Sequence, residues 1–399
     1  MSTTQSADGG PAHTAPAATS VSPPLAPPHS RWAWTIGRVA GIDIQVHATF
    51  LLLLVWVAFA EYQQVGTAAA AISGVIFMLA VFASVLLHEF GHALTAARYG
   101  VRTRAILLLP IGGVSQLEEI PRQPREELAI AIAGPLVTVA VVIVLYAVLR
   151  ATGTPVEAAQ ALNGTGSFLP RLMWINVVLA VFNLLPAFPM DGGRVLRALI
   201  AMHTDYVTAT NVAARIGQAF ALVFGLIGLL VLGNVLLVLV AFFVWIGAAS
   251  EAASVRVSTA IEGVQVARVM TTDVRSLTAD EPLSTAASEV VAGFQNDFPV
   301  MRDHTVAGVL TRGDLLRALA AGRQGDTVGD IMDRTFAATT PDEMLSAALA
   351  RLQKCRCRTL PVLRDGSLAG LLTMDRIGEF VAAQSAPHQA PWSRAPLAR

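Results

Sequence analysis

The sequence predicts a multi-pass α-helical membrane protein of about six transmembrane helices, followed by a water-soluble α/β module made of two copies of one motif. Three observations lead there. Of 399 residues, 54% are hydrophobic and only 14% charged, against about 25% charged in an ordinary soluble domain. The charge is unevenly spread: 23 charged residues lie between Arg31 and Glu251, and 28 lie in the much shorter stretch from Val264 to Ala386. The second stretch also repeats itself at a fixed offset, Met270 aligning with Met332 and Leu283 with Leu345. Formal net charge is zero, from 28 basic and 28 acidic side chains. No overall field draws the chain to nucleic acid, and no nucleic-acid partner is expected.

Residues 1–30 are rich in Pro, Ala, Ser and Thr and hold no apolar run able to form a core, which predicts a disordered tail. A charged start followed by an apolar core is missing, so no secretory signal is expected. The membrane domain is expected over residues 31–254. Gly37 to Val46 alternates apolar and polar residues, as a short strand does. Apolar runs able to cross about 30 Å of hydrocarbon follow at Ala48 to Phe59, Ala68 to Leu87 with an amphipathic extension to Tyr99, Leu128 to Leu149, and Phe168 to Leu185. Ile216 to Ala249 is too long for one helix, and Gly233-Asn234 divides it in two. Between the second and third spans, Ile106 to Glu118 is too short to cross and is broken by Pro110 and Gly112-Gly113. An extended or re-entrant segment is predicted there, because irregular backbone at membrane depth survives only against protein or water.

Arginine placement sets the expected orientation. Arg98, Arg102, Arg104, Arg122 and Arg125 follow the second span, Arg194, Arg197 and Arg215 follow the fourth, and Arg31 and Arg38 precede the first. The opposite loops are poorer in Arg, so both termini are expected in the cytoplasm, with the protein in a cell membrane. Lys354 is the only lysine, a bias that fits a GC-rich bacterial genome.

After a linker at 255–263, the soluble half is expected as two units, 264–325 and 326–386, with a flexible tail at 387–399. The same offset pairs Phe298-Pro299-Val300 with Leu360-Pro361-Val362, and Val309-Leu310-Thr311 with Leu371-Leu372-Thr373. So many matches at one spacing mean duplication. Each copy reads as strand, helix, two strands and helix, and two copies predict pseudo-twofold symmetry. Cys355 and Cys357 are the only cysteines. They form no disulfide framework and make a poor zinc site, so reduced thiols are expected.

The chemistry concentrates at the cytoplasmic end of the second span, in His88-Glu89-Phe90-Gly91-His92. On a helix, residues four apart lie about 40° apart around the axis and about 6 Å along it. Both imidazoles can therefore reach one metal, with Glu89 beside them to take a proton from the attacking water. Two His and a Glu at the end of an apolar span are costly unless they coordinate or pair with something. A catalytic zinc needs a third protein ligand and an open position. Asp191 is the candidate, because the chain leaving the fourth span carries it to the same membrane face. Pro186, Pro189 and Gly192-Gly193 break the helix there. His47, at the start of the first span, either faces the site and donates to a developing oxyanion or sits at the membrane interface, the second being the favoured expectation.

HEFGH on a span, the later Asn183-Leu-Leu-Pro-Ala-Phe-Pro-Met-Asp191-Gly-Gly, the intervening GGVSQLE, and Ala133-Gly134-Pro135 together resemble the site-2 protease family of intramembrane zinc metalloproteases. The resemblance covers roughly residues 35 to 250. It implies one catalytic Zn2+ per chain on His88, His92 and Asp191, with Glu89 as general base. It also implies that Asn183 helps place the substrate backbone and that Gly112-Gly113 offers an edge strand to an unwound substrate helix. The implied partners are the lipid bilayer and a membrane-protein substrate, cut in regulated intramembrane proteolysis.

The repeated module resembles a tandem pair of CBS domains, which are nucleotide-sensing modules. Their turn carries Ser/Thr-x-x-Asp, whose acid typically holds a ribose. The first copy keeps it as Thr311-Arg-Gly-Asp314, while the second keeps Thr373 but has Arg376 where the Asp belongs. The resemblance implies adenine nucleotide (ATP, ADP or AMP) at Thr311, Asp314 and Thr373, with one well-formed site at most, and a homodimer through the CBS domains. The rival function is a CBS-gated membrane transporter using the polar cluster as an ion path. A transporter should show related halves or paired broken helices, and the sequence shows neither.

Overall fold

The computed structural model describes residues 32–117, 123–158, 166–293, 295–355 and 357–385. The two tails expected to be disordered lie outside these residues, as do Glu118 and Arg122. The single strand expected near Gly37 is a hairpin of β1 (Ala33–Val39) and β2 (Ile42–His47). Ala40 and Gly41 make the turn with φ of 51° and 83°, the left-handed pair that closes a two-residue hairpin. The alternation belongs to β2, whose Ile42, Ile44 and Val46 are buried.

His47 ends β2 and caps helix α1 (Ala48–Val65), its Nδ1 accepting the Thr49 amide at 3.3 Å. Helix α2 (Ala68–Arg98) is a single 31-residue helix, about 46 Å long. It is therefore longer than the ~30 Å of hydrocarbon that a span must cross. The glycine-broken segment after it is a second hairpin, β3 (Thr103–Leu109) and β4 (Gly112–Leu117). The sheet order is β1-β2-β3-β4, with β2 and β3 parallel and β4 at an edge. Ile106 and Leu108 of β3 pack with Phe82 and Ala93 of α2, so one face of this sheet lies on the helix.

Helices α3 (Pro124–Ala151), α4 (Phe168–Asn183), α5 (Asp191–Ala201), α6 (Tyr206–Leu226) and α7 (Val235–Ala260) complete the first half. Five of these seven helices are long and apolar enough to cross a membrane, α6 being continued by a π-turn to Val231; α4 is apolar but has 16 residues. Asp205 caps α6, and the Thr208 amide it accepts at 2.8 Å holds its carboxyl below the usual carboxylate range. Gly233, at φ 58°, and Asn234, whose Oδ1 accepts the Leu236 and Leu237 amides, make the expected break. Most of the expected linker is helix, because α7 continues to Ala260.

The soluble half contains β5 (Leu277–Thr278), α8 (Leu283–Val291), β6 (Phe298–Arg302), β7 (Thr305–Leu310) and α9 (Arg312–Ala320) in the first copy. A short α10 (Val328–Ile331) leads to α11 (Leu345–Cys355), β8 (Thr359–Arg364), β9 (Ser367–Thr373) and α12 (Met374–Ser385). The copies are interlocked. Ile261, Val264, Val266 and Val269 complete the core of the second copy, while Val328 and Met332 complete that of the first. Matching bridges, Thr271 with Leu371 and Val309 with Asp333, tie the exchanged segments in place. In the second copy, the partner of β5 is reduced to one parallel bridge from Thr339 to Val362. Cys355 and Cys357 stand side by side at the end of α11, their Cα atoms 5.1 Å apart.

Candidate metal centre and its cavity

Three helices build one polar cluster. Helix α2 presents His88 and His92 one turn apart, and α5 begins at Asp191 beneath them. His88 Nε2 lies 3.0 Å from Asp191 Oδ2, His92 Nε2 lies 3.2 Å from it, and the two Nε2 atoms are 3.1 Å apart. Zinc holds nitrogen and carboxylate ligands at 2.0–2.2 Å, so a tetrahedral site separates its ligand atoms by about 3.3 Å. The three residues fit zinc in donor type and spacing, and all three are buried.

The remaining ring nitrogens fix the tautomers. His92 Nδ1 lies 2.7 Å from the Ile130 carbonyl, which can only accept, so Nδ1 carries the proton and Nε2 faces the cluster as a lone pair. His88 Nδ1 lies 2.9 Å from Thr138 Oγ1. That hydroxyl donates to the Gly134 carbonyl at 3.4 Å, which leaves its lone pair to accept from His88. Both histidines are thus oriented by α3, as metal-bound imidazoles usually are by outer partners. Gly134 is needed for a second reason. A Cβ there would stand 2.2 Å from His92 Nε2, so the Ala-Gly-Pro segment admits the imidazole where any other residue would displace it.

Glu89 points toward β4, where Ser115 Oγ donates to its Oε2 at 2.5 Å. Glu89, Gly112, Gly113 and Asn183 all line one cavity with the three cluster residues, and its volume is about 500 Å³. The structure therefore brings together every residue that the sequence assigns to metal, base and substrate backbone. His47 is not on this wall; it caps α1.

Sequence reasoning missed five contributors. Thr138 and the Ile130 carbonyl orient the histidines, and Ser115 holds Glu89. Asn176, two turns before Asn183 on α4, donates to Ser84 Oγ at 3.2 Å and to the Leu172 carbonyl at 2.8 Å. Arg197, fully buried on α5, donates Nε to Glu127 Oε1 at 2.7 Å and Nη1 to Glu251 Oε1 at 2.6 Å. Its guanidinium also stacks on Phe188 and Tyr206. The signal for Arg197 is present in the sequence: Glu127 and Glu251 are acids in apolar helices, and such groups pair with a cation.

In the soluble half, Thr311 caps α9 by accepting the Asp314 amide at 3.1 Å, and Asp314 Oδ1 meets Arg317 at 2.5 Å. Thr373 accepts the Arg376 amide at 3.1 Å. Asp297, which also escaped sequence reading, is buried between the copies. It accepts the Arg312 amide at 3.1 Å and the hydroxyl of Thr359.

An HExxH helix with a distant Asp in a membrane-spanning bundle defines a zinc metalloprotease of the membrane-embedded class. Residues 76–165 and 151–224 match peptidase family M50, and residues 266–321 and 328–382 match the CBS domain. A zinc metalloprotease of Methanocaldococcus jannaschii is 34% identical over 297 residues, 74% of this chain and 81% of that protein. Rip3 of Mycobacterium tuberculosis is 28% identical over 374 residues, 88% of this chain and 93% of its own length. Among solved structures, the site-2 protease from Methanocaldococcus jannaschii is 38% identical, covering 55% of this chain and 95% of that one, with a TM-score of 0.42. The chain belongs to peptidase family M50, the site-2 protease family, and carries a C-terminal CBS pair. It is a membrane protein and a metalloprotease, not a transporter.

Proposed function

We propose that this protein is an intramembrane endopeptidase that cuts transmembrane segments of membrane proteins near the cytoplasmic face, under the control of adenine nucleotide at its CBS pair. The observation that carries the reading is the convergence of His88, His92 and Asp191 with Glu89 in one cavity whose wall is the edge strand β4. His88, His92 and Asp191 hold the zinc, which when bound polarises the scissile carbonyl and acidifies water. Glu89 takes a proton from the attacking water at its carboxylate and returns it to the leaving amine nitrogen. A helical substrate hides its carbonyls in its own hydrogen bonds, so it must be extended to be cut. The outer edge of β4 carries no strand among the described residues. An extended substrate adds there by main-chain hydrogen bonds, with Gly112 and Gly113 offering backbone unobstructed by side chains and Asn183, which lines the same cavity, positioning the peptide.

The membrane unit spans residues 31–254 and the CBS units 264–325 and 326–386, with both termini cytoplasmic. Nucleotide binds at Thr311, Asp314 and Thr373. The module also serves as a homodimer contact. The decisive experiment compares the wild type with Glu89→Gln on membrane-anchored reporter substrates in reconstituted vesicles, with zinc measured alongside. The variant is expected to retain one zinc per chain and lose cleavage at least a hundredfold. Undiminished cleavage would overturn Glu89 as the proton carrier.

A further inference from the structure

We infer that Ser115 is a positioning residue for Glu89, so that the strand receiving the substrate also sets the group that moves the proton; this deepens the function proposed above and rests on it. Strand β4 pairs antiparallel with β3, Ser115 opposite Ile106 and Gly113 opposite Leu108. Directly opposed residues of an antiparallel pair point to the same face. Ile106 and Leu108 are buried against α2, so Gly113 and Ser115 face that helix too. The contacts bear this out. A Cβ on Gly113 would lie 2.7 Å from Glu89 Cγ and 3.4 Å from Val85 Cγ1. The glycine therefore lets the strand press directly onto the Glu89 stem, and the hydroxyl two residues on reaches its carboxylate at 2.5 Å.

A glutamate has three side-chain torsions, and at the end of a span it has a choice of rotamers. A hydrogen bond to a charged acceptor is among the stronger kinds. Here it comes from a strand already fixed by its ladder with β3. One carboxylate oxygen is thereby tied to β4, and the stem lies against the Gly113 backbone. When a peptide adds to the outer edge of β4, its ladder orders the backbone that carries Ser115. Docking and base placement are thus two effects of one strand. Serine suits the position: it is small enough to stand beside the Gly113 contact, and its hydroxyl can donate to a carboxylate.

The test uses the full chain in vesicles, comparing wild type, Ser115→Ala, Ser115→Thr and Glu89→Gln with a fluorogenic peptide containing an apolar segment. Ser115→Ala is expected to lower kcat about tenfold to a hundredfold, with KM and zinc content unchanged, and Ser115→Thr to recover kcat to within about threefold by restoring the donor. A Ser115→Ala enzyme with wild-type kcat, or one whose loss falls on KM or on zinc content, would overturn the inference. A second readout is independent of turnover. The infrared carboxylate band assigned to Glu89, taken as wild type minus Glu89→Gln, should shift in Ser115→Ala and return in Ser115→Thr. An unshifted band overturns the inference even if no peptide is cleaved. Failure of the proposed function looks different: a wild type that cleaves nothing, or a Glu89→Gln variant that cleaves normally.

Discussion

The two halves of this chain treat buried polarity in opposite ways. The soluble half has the higher density of charge, yet only Asp297, Thr339 and Thr359 are its buried polar residues among those described. The sparsely charged membrane half buries nine: Ser84, His88, His92, Glu127, Thr138, Asn176, Asp191, Arg197 and Thr210. A soluble module can leave its charges at the surface, where water satisfies them. A membrane bundle has no such surface over most of its height, so each polar group must meet a partner inside or be absent. The few that remain therefore concentrate where something needs them. Six of the nine belong to two clusters, His88, His92 and Asp191 with Thr138 at the candidate metal site, and Glu127 with Arg197 in the buried ion pair.

The largest test of that contrast is Arg197→Met. It leaves Glu127 buried without its cation, and loss of one partner from a buried ion pair costs about 3–5 kcal/mol. Thermal denaturation in detergent should show it as a large drop in stability, partly recovered by adding Glu127→Gln. If Arg197→Met is as stable as the wild type, the network is not what anchors α5. Next in size is Thr138→Val, which keeps the shape and removes the hydroxyl that orients His88. Loss of such an outer partner is expected to weaken zinc binding about 10- to 100-fold, read by competition with a chelator, while the fold is retained. The smallest effect belongs to the soluble half. Asp314→Ala removes one charged hydrogen-bonding group and should weaken adenine nucleotide binding about tenfold, seen by calorimetry on the full chain in detergent, with zinc content unchanged. A wild type that binds no adenine nucleotide would sink the sensing role of the module.

Much of this was legible in the linear sequence because it rests on local periodicity and on rare residues in costly places. The spans follow from apolar length, and their interruptions from Gly233-Asn234 and from Pro110 with Gly112-Gly113. HExxH announces itself, since a helix alone puts His88 and His92 on one face. Asp191 was reachable because topology returned it to the same membrane side. Thr138 and Ser115 were not reachable: a threonine or serine in an apolar stretch is ordinary, and each gains its meaning from a residue on another element. The hairpin at Ala40-Gly41 was missed because the alternation of β2 extends the eye across the turn.

The linear sequence was enough for the class of protein, the order of its apolar helices, the duplication of its soluble half and the His88, His92 and Asp191 candidates for the metal site. These depend on composition, period and spacing, which are properties of a line. The three-dimensional fold alone set which nitrogen of each histidine faces Asp191, through the Ile130 carbonyl and Thr138. It alone joined Arg197 to Glu127 and Glu251 across 70 and 54 residues of chain. It also showed that the repeated copies are not the packing units, since Val266 fills the core of the second and Met332 that of the first. The reason is common to all three. Hydrogen bonds and core contacts act over a few ångströms between residues far apart in the chain, and local sequence carries no record of which distant partner the fold will bring within that range.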